Sequence, residues 1–211
     1  MKLKNLIGNV NKILTNNNSV YNVRKILNDY YQKYDKYEIQ KYKIELQKNN
    51  IKPYYYNKKI LFENNNFELV LINWGEYSSS LIHDHPENGC LSVVLEGKLT
   101  EYLFDKDLYL KNCIDLYPGE INFIDNNKGY HKIKNNYKYF NNELINEKIK
   151  ELDDTNGFNF YFNNSLSLHI YSPPNHNMEI FQENINSLKN RKKIEKEKEN
   201  NHKDILYENN G

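Results

Sequence analysis

HDHPENGCLSVVLEGKLTEYLF, residues 83 to 104, joins candidate metal ligands to strand patterns. His83 and His85 stand two apart, so in an extended segment their imidazoles leave the same face and can converge on one metal ion. Cys90 follows five residues after His85, and Gly97 seven after that. Beyond Gly97, Leu99, Glu101 and Leu103 alternate with Thr100, Tyr102 and Phe104, which predicts a second strand after a turn. The segment therefore reads as a hairpin carrying metal ligands. An isolated H-x-H pair is common in polar loops, so the assignment needs partners elsewhere in the chain.

The C-terminal side supplies such partners. His131 follows a polar loop after the apolar run EINFID at 120–125. SLSLHIYSPP at 165–174 sets Ser167, His169 and Tyr171 on one strand face and Leu166, Leu168 and Ile170 on the other. A polar row backed by a complete apolar row implies an occupied polar interior. On the N-terminal side, Tyr54, Tyr56, Lys58 and Ile60 share one face of an extended segment, and FELVLINW at 67–74 is a buried strand ending at Trp74.

The spacing of His83, His85, Cys90 and Gly97 resembles the first metal-binding motif of the cupin barrels, two histidines followed by a glutamate and a glycine. Cys90 stands where that glutamate would be, which is the mark of the thiol dioxygenases related to cysteine dioxygenase. His131 with Asn135 resembles the second cupin motif, and Ser165 to Pro174 resembles the Ser-x-His-x-Tyr-Ser-Pro-Pro stretch of the same family. The resemblance implies a mainly β fold, a cupin (jelly-roll-like) β-barrel with N-terminal helices packed outside. It implies Fe(II) held by His83, His85 and His131, although three imidazoles alone would equally suit Zn or Ni. The substrates would be L-cysteine and O2 and the product cysteine sulfinate. Tyr171, with His169 and Ser167 fixing its phenol, would be the catalytic group, and a thioether would join Cys90 to Tyr171. Tyr56, Lys58, Trp74 and Met178 would line the substrate pocket.

Lys58 departs from the family, which has an arginine there for the substrate carboxylate. A guanidinium fork can hold both carboxylate oxygens, whereas an ammonium is a compact point charge. Losing one charge-assisted hydrogen bond weakens binding by roughly 1.5 to 3 kcal/mol. Two readings stay open, that Lys58 takes the carboxylate and that it is a solvated strand residue. The lysine also keeps open another small thiol, 3-mercaptopropionate or cysteamine, as substrate. A cupin that binds a metal or small ligand without catalysis is the alternative from another class.

Length and composition fit one barrel domain with appendages. Residues 1–50 carry apolar positions at helical intervals (Ile7, Val10, Ile13, Leu14, then Val20, Val23, Ile26, Leu27, Tyr30 and Tyr31) and read as helices packed on the barrel. The barrel is expected over 51–183, with an Asn-rich insertion at about 136–157, and a charged, flexible tail over 184–211. A net charge of +1 with mixed signs gives no nucleic-acid footprint. No apolar run has signal-peptide or membrane-spanning length, so a cytoplasmic protein off the membrane is expected, as a monomer. Two cysteines in 211 residues are not a disulfide framework.

Overall fold

The structure, a computed structural model, describes residues 1–15, 18–47, 54–136 and 164–184. Ten strands are found among them: β1 Tyr56–Glu63, β2 Glu68–Trp74, β3 Ile82–His83, β4 Cys90–Glu96, β5 Leu99–Phe104, β6 Leu110–Leu116, β7 Ile121–Ile124, β8 Tyr130–Lys134, β9 Ser165–Tyr171 and β10 Ile180–Phe181. They make two antiparallel five-stranded sheets, ordered β1-β2-β9-β4-β7 and β10-β3-β8-β5-β6. This is the expected mainly β, jelly-roll arrangement of a cupin, although the two ladders do not join into one closed barrel among the described residues.

Strand alternation explains how the first sheet is buried on both faces. Leu69 and Leu71 of β2, Leu91, Val93 and Leu95 of β4, and Leu166, Leu168 and Ile170 of β9 form one core with the N-terminal helices. The intervening residues Val70, Ile72, Trp74 and Val94 pack with Leu99, Leu116 and Ile133 of the second sheet. That double burial is why FELVLINW is nearly continuous in apolar residues. A third cluster, Ile82, Tyr102, Phe104, Leu110 and Cys113, includes residues of three strands of the second sheet.

The hairpin expected from His83 to Phe104 does not form. β4 pairs with β7 and β9, whereas β5 pairs with β6 and β8, so the chain crosses from one sheet to the other between them. Alternation in the sequence identifies a strand but carries no information about its partner. Gly97 makes the crossing with φ +76, and a Cβ there would sit 2.4 Å from Ser165 Oγ. Ser165 Oγ in turn accepts from Lys98 N (3.0 Å) and donates to Lys98 O (2.9 Å), which ties the crossing to the start of β9.

Three helices cover the first sheet: α1 Leu3–Leu14, α2 Arg24–Lys33 after a short 3-10 turn at Val20–Val23, and α3 Lys36–Gln47. α1 buries Leu3, Leu6, Val10 and Leu14, one stripe at helical spacing. Ser19 caps the 3-10 turn, its hydroxyl accepting from Tyr21 N. α3 is held by Gln40, which donates to Glu96 at 2.7 Å, by the Lys43–Glu96 ion pair and by Asn57, which donates to Leu46 O at 3.2 Å. The expected insertion and tail fall outside the described residues except for Asn136 and Asn184. No helix among the described residues is long and apolar enough to cross a membrane.

Candidate metal centre

His83, His85 and His131 come together between the sheets, with one ligand nitrogen of each within 4.8 Å of the others. Pairing across strands brings two of them together, because His83 on β3 lies opposite His131 on β8. His85 follows β3 in a loop whose backbone is clasped by Asn126, with His85 N donating to Asn126 Oδ1 (2.9 Å) and Asn126 Nδ2 donating to His85 O (2.8 Å). All three rings are buried.

Hydrogen bonds fix the proton on two of the rings. His83 Nδ1 lies 2.8 Å from Leu81 O, and a carbonyl only accepts, so Nδ1 carries the hydrogen and Nε2 keeps its lone pair. His131 Nδ1 lies 2.6 Å from Glu101 Oε1. That oxygen already accepts from Asn122 Nδ2 at 2.6 Å, so it serves as acceptor for His131 Nδ1–H as well. The Nε2 lone pair of His131 is thereby left facing His85, whose Nε2 is 3.0 Å away. Two nitrogens at that separation need a positive centre between or beside them, a proton or a metal ion. Burial holds all three imidazoles below their ordinary range, and at His85 the other two rings add to the effect. A set of three neutral nitrogen donors with converging lone pairs fits a divalent transition metal.

The opposite wall belongs to the first sheet. Cys90 and Tyr171 are cross-strand partners on β4 and β9. Behind them a chain of polar groups runs along the inward face. Trp74 Nε1 donates to Ser167 Oγ at 2.8 Å, Ser167 Oγ lies 2.7 Å from His169 Nε2, and Tyr171 OH lies 3.3 Å from His169 Nδ1. Cys90 Sγ is 3.8 Å from His169 Nδ1. Burial pushes the Cys90 thiol and the Tyr171 phenol up, so both rest protonated, and it drives His169 down to about 3, so that ring is neutral.

Between the walls lies a cavity of about 190 Å³ that includes His83, His131, His169 and Tyr171 in its lining. Each residue expected in the substrate pocket also borders it. Tyr56 and Lys58 come from β1, Trp74 closes β2 with its ring 4.7 Å from that of Tyr56, and Met178, itself largely exposed, comes from the loop before β10. A larger open groove of about 800 Å³ lies elsewhere, beside Tyr21, Arg24 and Lys25, with no histidine or cysteine among its described lining residues.

Several residues at the site escaped the sequence reading. Glu101 is one of them, although a glutamate in the inward row between Leu99 and Leu103 was a visible signal. Asn122 and Asn126 carried none, being two among many asparagines. Glu68 lines the cavity, as do Asp84 and His176, which pair at 2.9 Å. Asn135, expected only as part of a motif, is fully buried and donates to the carbonyls of Trp74 and Gly75, both at 3.1 Å.

A family model described as "Cysteine dioxygenase type I" matches residues 3–184 of the chain. The chain is 30% identical over 123 residues to cysteine dioxygenase type 1 of Danio rerio, covering 57% of this chain and 53% of that protein. To the protein of the same name from Rattus norvegicus it is 27% identical over 128 residues, covering 57% and 52%. The chain spans about half the length of the curated relatives it matches. Its backbone is similar to the crystal structure of a cupin superfamily protein from Desulfitobacterium hafniense, with a TM-score of 0.38 and 12% identity over 58% of this chain and 82% of that one.

Proposed function

The chain belongs to the type I cysteine dioxygenase family, and on that basis we propose that it oxidises the thiol of L-cysteine to the sulfinate with O2. His83, His85 and His131 would hold Fe(II). One observation carries the reading: three buried imidazoles cluster at a single cavity, which His83 and His131 line, and its other wall presents Tyr171, the cross-strand neighbour of Cys90. Iron held there would supply a Lewis-acidic redox centre for the reaction of a thiol with dioxygen and would favour the thiolate near neutral pH. Addition of both oxygen atoms to R–SH gives R–SO2H, so no further reductant is consumed.

The protein's own part is positioning. Tyr171 presents its phenol to the substrate, held through His169, Ser167 and Trp74, and Lys58 provides the cation for the carboxylate. Tyr56 and Trp74 shield the reacting sulfur from water, with Met178 at the exposed edge of the cavity. A thioether between Cys90 and Tyr171 would stiffen the phenol further, with loss of two hydrogen atoms that survives reducing agents. A second reading, another small thiol, is favoured by Lys58 in place of the family arginine.

The test is anaerobic loading with Fe(II), followed by oxygen uptake with L-cysteine, cysteamine and 3-mercaptopropionate and mass analysis of product and protein. Sulfinate formation, abolished together with iron retention in His83→Ala, is expected. Stoichiometric iron with no thiol-dependent oxygen uptake would leave a metal-binding cupin without catalysis.

A further inference from the structure

Glu68 is the first residue of β2, and its place in the ladder puts it beside the reacting groups. It pairs with Tyr171 on β9 on one side and with Glu63 on β1 on the other. Counting along β2, Glu68 shares its face with Val70, Ile72 and Trp74, the face that lines the cavity. Tyr171 is itself the partner of Cys90, so Glu68, Tyr171 and Cys90 form one row across the sheet. The carboxyl is half-buried; burial raises its pKa, while Lys58 opposes that rise through space. Glu68 also contributes to holding up the Tyr171 phenol.

Among the described residues the other titratable charges on the lining are Lys58, Asp84 and the histidines. Lys58 stands on the same wall, from β1, and Asp84 is engaged by His176 at 2.9 Å and by Glu179 N at 2.8 Å. Lys58 therefore does not face the cavity as an unopposed cation, because a carboxylate shares its surroundings.

We infer that Glu68 makes this cavity selective for thiols that carry a primary amine, L-cysteine and cysteamine, over thiols whose other charged group is a carboxylate alone. The inference rests on the dioxygenase reading and narrows its substrate class. An amino-thiol enters with an ammonium whose positive charge offsets Glu68. A carboxylate-only thiol adds a negative charge beside Glu68 without bringing a positive one, and Lys58 is the one lysine or arginine of the lining among the described residues to offset it. Like charges sharing a half-buried cavity wall repel by enough to weaken binding about tenfold or more.

Trp74 lines the same cavity and is the one tryptophan of the chain, so its fluorescence reports binding without turnover. The experiment titrates the Fe(II)-loaded protein, without oxygen, with L-cysteine, cysteamine and 3-mercaptopropionate, in the wild type and in Glu68→Gln. Oxygen uptake is measured in parallel. In the wild type both amino-thiols should bind about tenfold or more tightly than 3-mercaptopropionate. In Glu68→Gln that gap should close, chiefly through tighter 3-mercaptopropionate binding. Equal binding of all three thiols by the wild type, an unchanged gap in Glu68→Gln, or no binding at all would overturn the inference. Selective binding without oxygen uptake would instead remove the dioxygenase reading and leave the charge selectivity standing.

Discussion

Glu101 decides which nitrogen of His131 faces the other imidazoles. With Asn122 donating to the same oxygen, it couples a β5 carboxylate and a β7 amide to a ring on β8, a second layer of the kind that orients metal-bound histidine. Glu101→Ala should lower metal affinity by about ten- to a hundredfold, measured by competition with a chelator, while the circular dichroism spectrum is unchanged. Unaltered affinity would assign Glu101 to sheet-to-sheet packing alone. His169 makes a pH prediction of definite sign. Its folded pKa lies at about 3 against 6.5 for the free side chain, so between those values the unfolded chain binds a proton that the folded chain refuses. This contribution to stability is complete above about pH 6.5 and is lost as the pH falls toward 3. The metal-free protein should melt at lower temperature with each step of acidification below that point. His83, His85 and His131 act in the same direction, and His169→Gln should remove one proton from the slope. A melting temperature that held steady or rose on acidification would contradict the buried, neutral state of these rings.

Among the elements, the turn between β4 and β5 has the strictest requirement. It carries the chain from the sheet that bears Cys90 to the sheet that bears Glu101 and His131, and it does so at Gly97 with positive φ against the Ser165 side chain. An alanine there meets both a left-handed backbone and a Cβ overlap of a kind real contacts do not show. Gly97→Ala should cost about 1 to 3 kcal/mol, read as a lower denaturation midpoint. A loss of metal affinity should accompany it, because the two walls of the site hang from this crossing. Gly8 is the internal control: on α1 a Cβ there meets nothing within 4 Å, so Gly8→Ala should be neutral or mildly stabilising, by up to about 1 kcal/mol. Equal behaviour of the two variants would deny the turn its role.

At the scale of the whole molecule, helices and sheets share one core. Eight apolar side chains of β2, β4 and β9 are buried against the helical segment. Exposing them would forfeit about 12 to 24 kcal/mol at about 1.5 to 3 kcal/mol each, beyond the 5 to 15 kcal/mol by which a typical domain is stable. A fragment starting at Tyr54 should therefore fail to give a folded, soluble protein, and a cooperative thermal transition from it would disprove the dependence. Much of this was legible in the residues. H-x-H spacing, the Ser167, His169, Tyr171 row and the helical positions Val10 and Leu14 are local patterns that local backbone geometry converts into faces, although Leu3 and Leu6 take the buried places on α1 expected of Ile7 and Ile13, which are only partly buried. The unreadable part was the pairing of distant strands. Which side chains share a face follows from the residues alone, because strand and helix periods are properties of the backbone. That β4 and β5 part to different sheets, that Glu101 meets His131 and that Glu68 stands beside Tyr171 emerges in the assembled fold alone. Those contacts follow from ladder register and sheet stacking, which depend on the burial of the whole apolar surface at once and are written in no single stretch of the chain.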